Sequence, residues 1–306
     1  MQVLIDYLTM TSKIHSGWDL IARLGLQDYP FVELPGRYGW EARHYYRGVS
    51  LLLGGSRDDI CIELSGAGCR TVEEASGHTY DWYSFFHDLE PDIHAREVNV
   101  SRLDIAGDDR CGDLEFRRFI PYCKHRRYIC KARWRTWTDG DEQIIMFGSS
   151  QSDRRLRIYN KALEQGIDDH WMRVEMQMRD DNALSFLLNW LRDGEIGECY
   201  AGVLLDFLRF TRRTPDGNHY DRADLVQWWL NFVGKARTCP QLYLDTPSYC
   251  LDDVQRFLER QAGSSLRLLL EANNGEIDDI MEIIEGAVLN RRQRQLLDQI
   301  RSIDSI

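Results

Sequence analysis

No apolar stretch in the sequence approaches the ~20 residues that span a bilayer, which excludes a helical membrane protein as a class. The first residues, MQVLIDYLTMTSKIHSGWDL, lack a basic segment ahead of an apolar block, so they do not read as a secretory signal, and a cytoplasmic location is expected. There is no CxxC pair among the eight cysteines and no HxH or HxxxH among the eight histidines, which removes the local spacings of zinc and redox sites. The cysteines are instead expected to be reduced and mostly buried, packing as small hydrophobes. No Walker-type GxxxxGK[ST] loop occurs, so the chain is not read as a nucleotide-driven motor. Internal repeats and low-complexity segments are not seen. Positive charge is also scarce overall: 38 Lys and Arg stand against 49 Asp and Glu, a net charge of −11, which is awkward for a protein that meets a polyanion.

A global sum can hide a local patch. From Phe116 to Thr138 there is no acidic residue, while Arg117, Arg118, Lys124, Arg126, Arg127, Lys131, Arg133 and Arg135 all fall there. That run is the obvious electrostatic footprint for a nucleic acid.

A chain of 306 residues can bury a sizeable core and is read as two unequal domains. The fold class expected is α+β: an antiparallel or mixed sheet with flanking helices, then a helical C-terminal region. Strands are expected at 48–54, 59–64, 97–106, 127–137, 143–148, 156–161 and 171–178, and helices at 15–24, 80–89, 111–119 and 182–192. After the Asp193-Gly194 break the apolar residues take helical spacing, as in Leu225, Trp228, Trp229 and Phe232, which sets the domains at 1–193 and 194–306. The last residues, NRRQRQLLDQIRSIDSI, are read as a docked terminal helix, the alternative being an amphipathic helix for a partner.

In a strand, residues two apart share a face. In RLRIYNK this separates Leu156 and Ile158 from Arg155, Arg157, Tyr159 and Lys161. In SRLDIAGDD, Ser101, Leu103 and Ile105 go one way and Arg102, Asp104, Ala106 and Asp108 the other. In WMRVEMQM the apolar set is Met172, Val174, Met176 and Met178, opposite Trp171, Arg173, Glu175 and Gln177. If these three strands are neighbours, one exposed face carries Asp104, Asp108 and Glu175 near Tyr159, Arg157 and Lys161. Carboxylate oxygens suit a hard ion such as Mg²⁺ or Mn²⁺, the tyrosine is a nucleophile, and the pair of cations favours its phenolate, which together describe a phosphoryl-transfer site. Each strand by itself is also what any half-solvated antiparallel sheet shows.

The three blocks SRLDIAGDD, FGSSQSDRRLRIYNK and WMRVEMQMRD, in that order, resemble the replication initiation factor family of rolling-circle plasmids, filamentous phages and some conjugative elements. The resemblance implies that Tyr159 attacks the scissile phosphate and keeps the 5′ end as a phosphotyrosine, leaving a 3′ hydroxyl that primes synthesis. It also implies a divalent metal on Asp104, Asp108 and Glu175, phosphate neutralisation by Arg157 and Lys161, and for Arg173 either the orienting of Glu175 or a hold on the DNA backbone. The partners implied are single-stranded or cruciform origin DNA and, by family habit, a second copy in a homodimer; a separate helicase is expected from the missing Walker-type loop. Two departures stand out: the Gly148–Ser152 run lacks the basic residue common in the family, and no family pattern aligns after about Asp193, where origin recognition varies.

In RYICKARWR, alternation puts Arg127, Ile129, Lys131, Arg133 and Arg135 on one face, a row of cations able to track a phosphate backbone. Tyr122 and Trp137 stand close enough in sequence to stack on unpaired bases. A solvated edge strand protected by its charges has the same pattern. Three functions fit these observations: a nicking initiator or relaxase, which needs Tyr159; a noncatalytic DNA-binding replication protein, which fits the acidic charge; and a metal-dependent phosphodiesterase using water, for which Tyr159 is only a strand residue.

Overall fold

The opening segment QVLIDYLTMTS, rich in strand-forming side chains, makes β1 (Gln2–Ser12), one of the two longest strands of the molecule. After it come α1 (Gly17–Arg23), the meander β2 (Val32–Pro35), β3 (Ala42–Tyr46), β4 (Val49–Leu53) and β5 (Ile60–Leu64), and the helices α2 (Gly66–Ala75) and α3 (Trp82–His94). The chain then repeats this plan. A long strand β6 (Val98–Asp109) and helix α4 (Phe116–Lys124) precede the short β7 (Tyr128–Ile129). The second meander is β8 (Trp134–Asp139), β9 (Glu142–Phe147), β10 (Arg154–Asn160) and, beyond the one-turn α5 (Lys161–Gln165), β11 (Met172–Arg179). Helices α6 (Asp180–Asp193) and α7 (Ile196–Phe207) close the second half, and β12 (Arg209–Phe210) and α8 (Gln227–Val233) come after it. This computed structural model describes residues 2–139, 142–215, 223–234, 258, 263–287, 294, 297 and 301.

Ten strands form one antiparallel sheet in the order β2-β3-β4-β5-β1-β6-β11-β10-β9-β8, which reads as two copies of one topology joined back to back at the β1–β6 pair. The duplication reaches into detail. Register slips by one residue at Asp6 in β1 and at Ser101 in β6, so each central strand carries a bulge facing the other. The expectation of no internal repeat is thus corrected at the level of topology, which side-chain identity does not preserve.

One face of the second half is apolar. Leu103 and Ile105 of β6, Leu156 and Ile158 of β10 and Val174 and Met176 of β11 are fully buried with Phe86, Leu89, Phe186 and Leu187 of α3 and α6. Each such side chain stabilises the fold by about 1.5–3 kcal/mol. Tyr200 of α7 donates to the carbonyl of Val174 at 2.7 Å, and its ring lies so close to Gly107 that a Cβ there would meet it at 2.7 Å. This packing commits the opposite side chains of β6, β10 and β11 to the other face, as alternation predicts.

Two expected elements differ. The strand expected at 127–137 is broken: Tyr128 and Ile129 leave to pair with β12 in a separate two-stranded sheet, and only from Trp134 does the chain join the edge of the main sheet. The cause is an aromatic cluster in which Phe210 holds Phe119, Tyr122 and Trp228 edge-on or tilted within 6.1 Å, with Tyr128 and Phe147 beside it. Tyr122 is therefore a packing residue. The helix expected at 111–119 starts later, at Phe116, because the buried Asp109 carboxylate accepts from the amides of Cys111 and Leu114 and ties the intervening turn.

The chain divides into two compact units, Met1–Tyr243 and Leu244–Ile306. The expected boundary at Asp193-Gly194 is the end of α6, where Gly194 takes the left-handed conformation as its C-cap. Within the second unit, helices run over Gly263–Ala272 and Asp278–Gly286, and the expected terminal helix at 290–306 lies largely outside the described residues. No helix among the described residues is long and apolar enough to cross a membrane. Of the described cysteines all six are unpaired, Cys61, Cys69, Cys123 and Cys199 are buried, and Cys239 and Cys250 lie outside the described residues.

Candidate active site

Strands β6, β11 and β10 are neighbours, so the three blocks do meet on one face. Two rows of paired residues cross it. One runs Trp137, Ile144, Tyr159, Arg173, Asp108 and the next Arg135, Met146, Arg157, Glu175, Ala106. The face is far less open than expected of a solvated sheet: Glu175 and Asp104 are each 1% exposed and Tyr159 8%. These side chains line a cleft of about 880 Å³ together with Arg157, Lys161 and Arg173.

At its centre the Tyr159 hydroxyl donates to Oε2 of Glu175 at 3.2 Å, and Arg157 pairs with the other carboxylate oxygen, Oε1. Burial, reinforced by the Glu175 charge and opposed by Arg173, pushes the Tyr159 phenol well above its ordinary range. The cations beside it, Arg157 and Lys161 at 5.8 and 5.7 Å from the ring centre, do not reverse this. The expectation that the local cations favour the phenolate is corrected accordingly: the phenol is protonated and its proton points at a carboxylate. Lys161 is not in the strand. Asn160 ends β10 and caps α5 by accepting from the Leu163 amide, which makes Lys161 the first residue of that helix, ion-paired with Glu164 at 2.8 Å yet still on the cleft wall.

The three expected metal carboxylates do not converge. Arg173 forks onto both oxygens of Asp108 at 2.7 and 2.8 Å and reaches Asp6 at 2.7 Å with its third nitrogen. Arg102 forks onto Asp104 at 3.0 and 2.6 Å. Among the described residues no group of three His, Cys, Asp or Glu side chains is placed to hold a metal ion. Asp104 and Glu175 remain diagonal neighbours on adjacent strands, since Gln177 pairs with Asp104 and Glu175 with Ala106. Burial pushes the Asp104 carboxyl up to about 7, with the Glu175 charge adding to it and Arg102 working against.

The Nε atoms of Arg155 and Arg157 are both buried without a hydrogen-bond partner among the described residues, and of the two only Arg157 lines the cleft. Arg127, Lys131, Arg133 and Arg135 are all exposed and none has an ion-pair partner among the described residues. The break at Cys130 to Arg133 takes them off one continuous face; only Arg135 stands in a row with Arg157.

The other wall of the cleft comes from the first half and was not anticipated. The β1 bulge turns both Asp6 and Tyr7 towards the site, and the Arg102 guanidinium lies 3.7 Å from the centre of the Tyr7 ring. The start of α2, with its cap Ser65, joins them because Gly48 in the β3–β4 turn (φ +89°) and Gly68 allow backbone contact: a Cβ on Gly68 would meet the Gly48 carbonyl at 2.4 Å. Bulges leave little trace in sequence, and the apolar pair Leu4-Ile5 ahead of Asp6 hides the change of parity.

Comparison with known proteins bears on the whole first unit. The family model described as replication initiation factor matches residues 98–284, and that described as rolling circle replication initiation protein N-terminal domain matches residues 2–88. A solved structure, that of the rolling circle replication initiator protein from Geobacillus stearothermophilus, is similar with a TM-score of 0.66 and 27% identity, over 77% of this chain and 96% of that one. No curated protein matches.

Proposed function

The chain belongs to the replication initiation factor family, and from that premise we propose that it initiates rolling-circle replication by nicking and rejoining one strand of its origin DNA through Tyr159. The observation that carries this reading is the hydrogen bond from the Tyr159 hydroxyl to Glu175, with Arg157 on the same carboxylate, at the floor of a cleft. A buried phenol whose proton is already directed at a carboxylate is a nucleophile paired with its base.

In the forward step the Tyr159 oxygen bonds to the scissile phosphorus and the bond from phosphorus to the 3′ oxygen breaks. The phenol proton passes to Glu175, and the departing 3′ oxygen takes up a proton from solvent. Resealing runs the same exchange backwards. Arg157, on the cleft wall, neutralises the phosphate, Arg155 beside it in β10 adds to the field, and Lys161 adds charge from the start of α5. Arg173, saturated by Asp108 and Asp6, acts as a brace that fixes β11 against β6 and β1. A divalent ion would be held by Asp104 and Glu175, one or two carboxylates being the usual protein share of such a shell, once Arg102 releases Asp104 and Arg157 releases Glu175; Asp108 is bound on both oxygens by Arg173. When bound it supplies Lewis-acid stabilisation of charge on the phosphate.

The DNA is an origin presented single-stranded or as a cruciform, and unwinding beyond the nick belongs to a separate helicase, because the sequence has no Walker-type loop. The test compares wild type with Tyr159→Phe on labelled single-stranded DNA from the parent replicon, with and without Mn²⁺, on a denaturing gel. A covalent adduct that requires both Tyr159 and the metal is expected. Cleavage that persists in the Phe variant without an adduct would make water the nucleophile and overturn the reading.

A further inference from the structure

The row that contains Tyr159 does not end at the cleft. Ile144 of β9, its neighbour, lines the cleft, and Trp137 of β8, the neighbour of Ile144, stands at the sheet edge 48% exposed. Partners across an antiparallel sheet share a face, so the indole lies on the face of the nucleophile, two strand spacings or about 10 Å away. Trp134 and Thr136 take the opposite parity, and Trp134 packs against the core. An exposed Trp on the site face is thus not surplus core.

Positive charge stands beside Trp137 on its inner side, while Asp139, paired with Glu142, follows it at the same parity and Asp104 and Glu175 lie deeper on the face. Arg135 precedes Trp137 by two residues and stands in the row of Arg157. Arg133 and Lys131 precede it in the chain but lie off the continuous face, and none of these three exposed cations has an ion-pair partner among the described residues. An exposed cation beside an exposed indole, continuous through Ile144 with the cleft that Arg157 lines, matches the alternation of phosphate and base in a single strand.

We infer that the outer part of this face, over β9 and β8, is a track for the single-stranded DNA that flanks the scissile phosphate, with Trp137 stacking on a base within one or two nucleotides of it and Arg135 taking the intervening phosphate. The inference rests on the proposed nicking function, but it concerns binding rather than chemistry.

Binding of a fluorescein-labelled 20-nucleotide oligothymidine, followed by anisotropy across a salt series, tests it in the full chain. Stacking on one base predicts roughly 5- to 100-fold weaker binding for Trp137→Ala and most of the affinity regained in Trp137→Tyr. Arg135→Ala should lower the salt slope by about 0.7, the share of one single-strand phosphate. Equal affinity of Trp137→Ala and wild type, or an equal loss in Trp137→Ala and Trp137→Tyr at unchanged thermal stability, overturns the track while leaving the nicking reading in place. A wild type that fails to bind any single strand brings down both.

Discussion

Glu175 is the residue on which the site turns, because it is almost wholly buried and answers both the nucleophile and its neighbouring cation. A carboxylate in that position either takes the tyrosine proton or merely satisfies a polar core, and the two roles separate on substitution. Glu175→Gln keeps an acceptor for the hydroxyl but removes the base. Strand cleavage is expected to slow by about 10²- to 10⁴-fold while oligonucleotide affinity stays within a few-fold, measured by single-turnover cleavage and anisotropy on the same preparation. Cleavage at the wild-type rate would exclude Glu175 as the proton acceptor. Tyr159, Arg157, Glu175 and Asp104 were legible in the sequence because strand parity alone separates them from Leu156, Ile158, Val174 and Leu103. The pairing of Arg173 with Asp108 and Asp6 was not, since it depends on register between strands distant in sequence, whereas Arg102 answers Asp104 from two residues away on the same face of β6.

Among the elements, β6 owes its position partly to the turn at its end. Asp109 ends the strand and anchors the turn to α4 by accepting from two backbone amides and from His170 at 3.0 Å. Burial works to raise its pKa, but the Leu114 and Cys111 amides and His170 outweigh it and hold the carboxyl below its ordinary value. A carboxylate lowered on folding adds stability above its unfolded pKa of about 4, and that stability is lost as pH falls through the native value. Asp109→Asn should therefore cost about 1–3 kcal/mol near neutrality, with the gap to wild type closing below about pH 4, in urea titrations at several pH values. A gap independent of pH would mean that the charge of Asp109 contributes nothing. The same residue explains why α4 starts later than apolar spacing indicates. For β7 and β8 the alternation of RYICKARWR describes one strand, yet the strand pairing of Tyr128 with Phe210, both rings packed on Phe147, splits it in two.

At the scale of the molecule the duplicated sheet explains why the chain has one site. Aligning the two halves on their bulges sets Leu52 opposite Cys61 where the second half has Arg157 opposite Glu175. There, on the corresponding face, Leu52 and Cys61 pack with Trp40 as a small separate apolar cluster. The first half thus retains the architecture and has filled the polar centre, while its bulged strand and the start of α2 wall the cleft of the second. Apolar replacement of this kind erases the repeat from the sequence but not from the topology. On the proposed mechanism a second nick accordingly needs reuse of Tyr159 or another copy.

The central claim is that Tyr159 carries the DNA, and the most direct test is to find the bond. Wild-type protein would be reacted with single-stranded origin DNA and Mn²⁺, digested with nuclease and trypsin, and the remaining adduct located by mass spectrometry. The account predicts a nucleotide phosphate on Tyr159 within the tryptic fragment Ile158-Tyr159-Asn160-Lys161. Phosphate on any other residue, or cleaved DNA with no modified peptide, would contradict it.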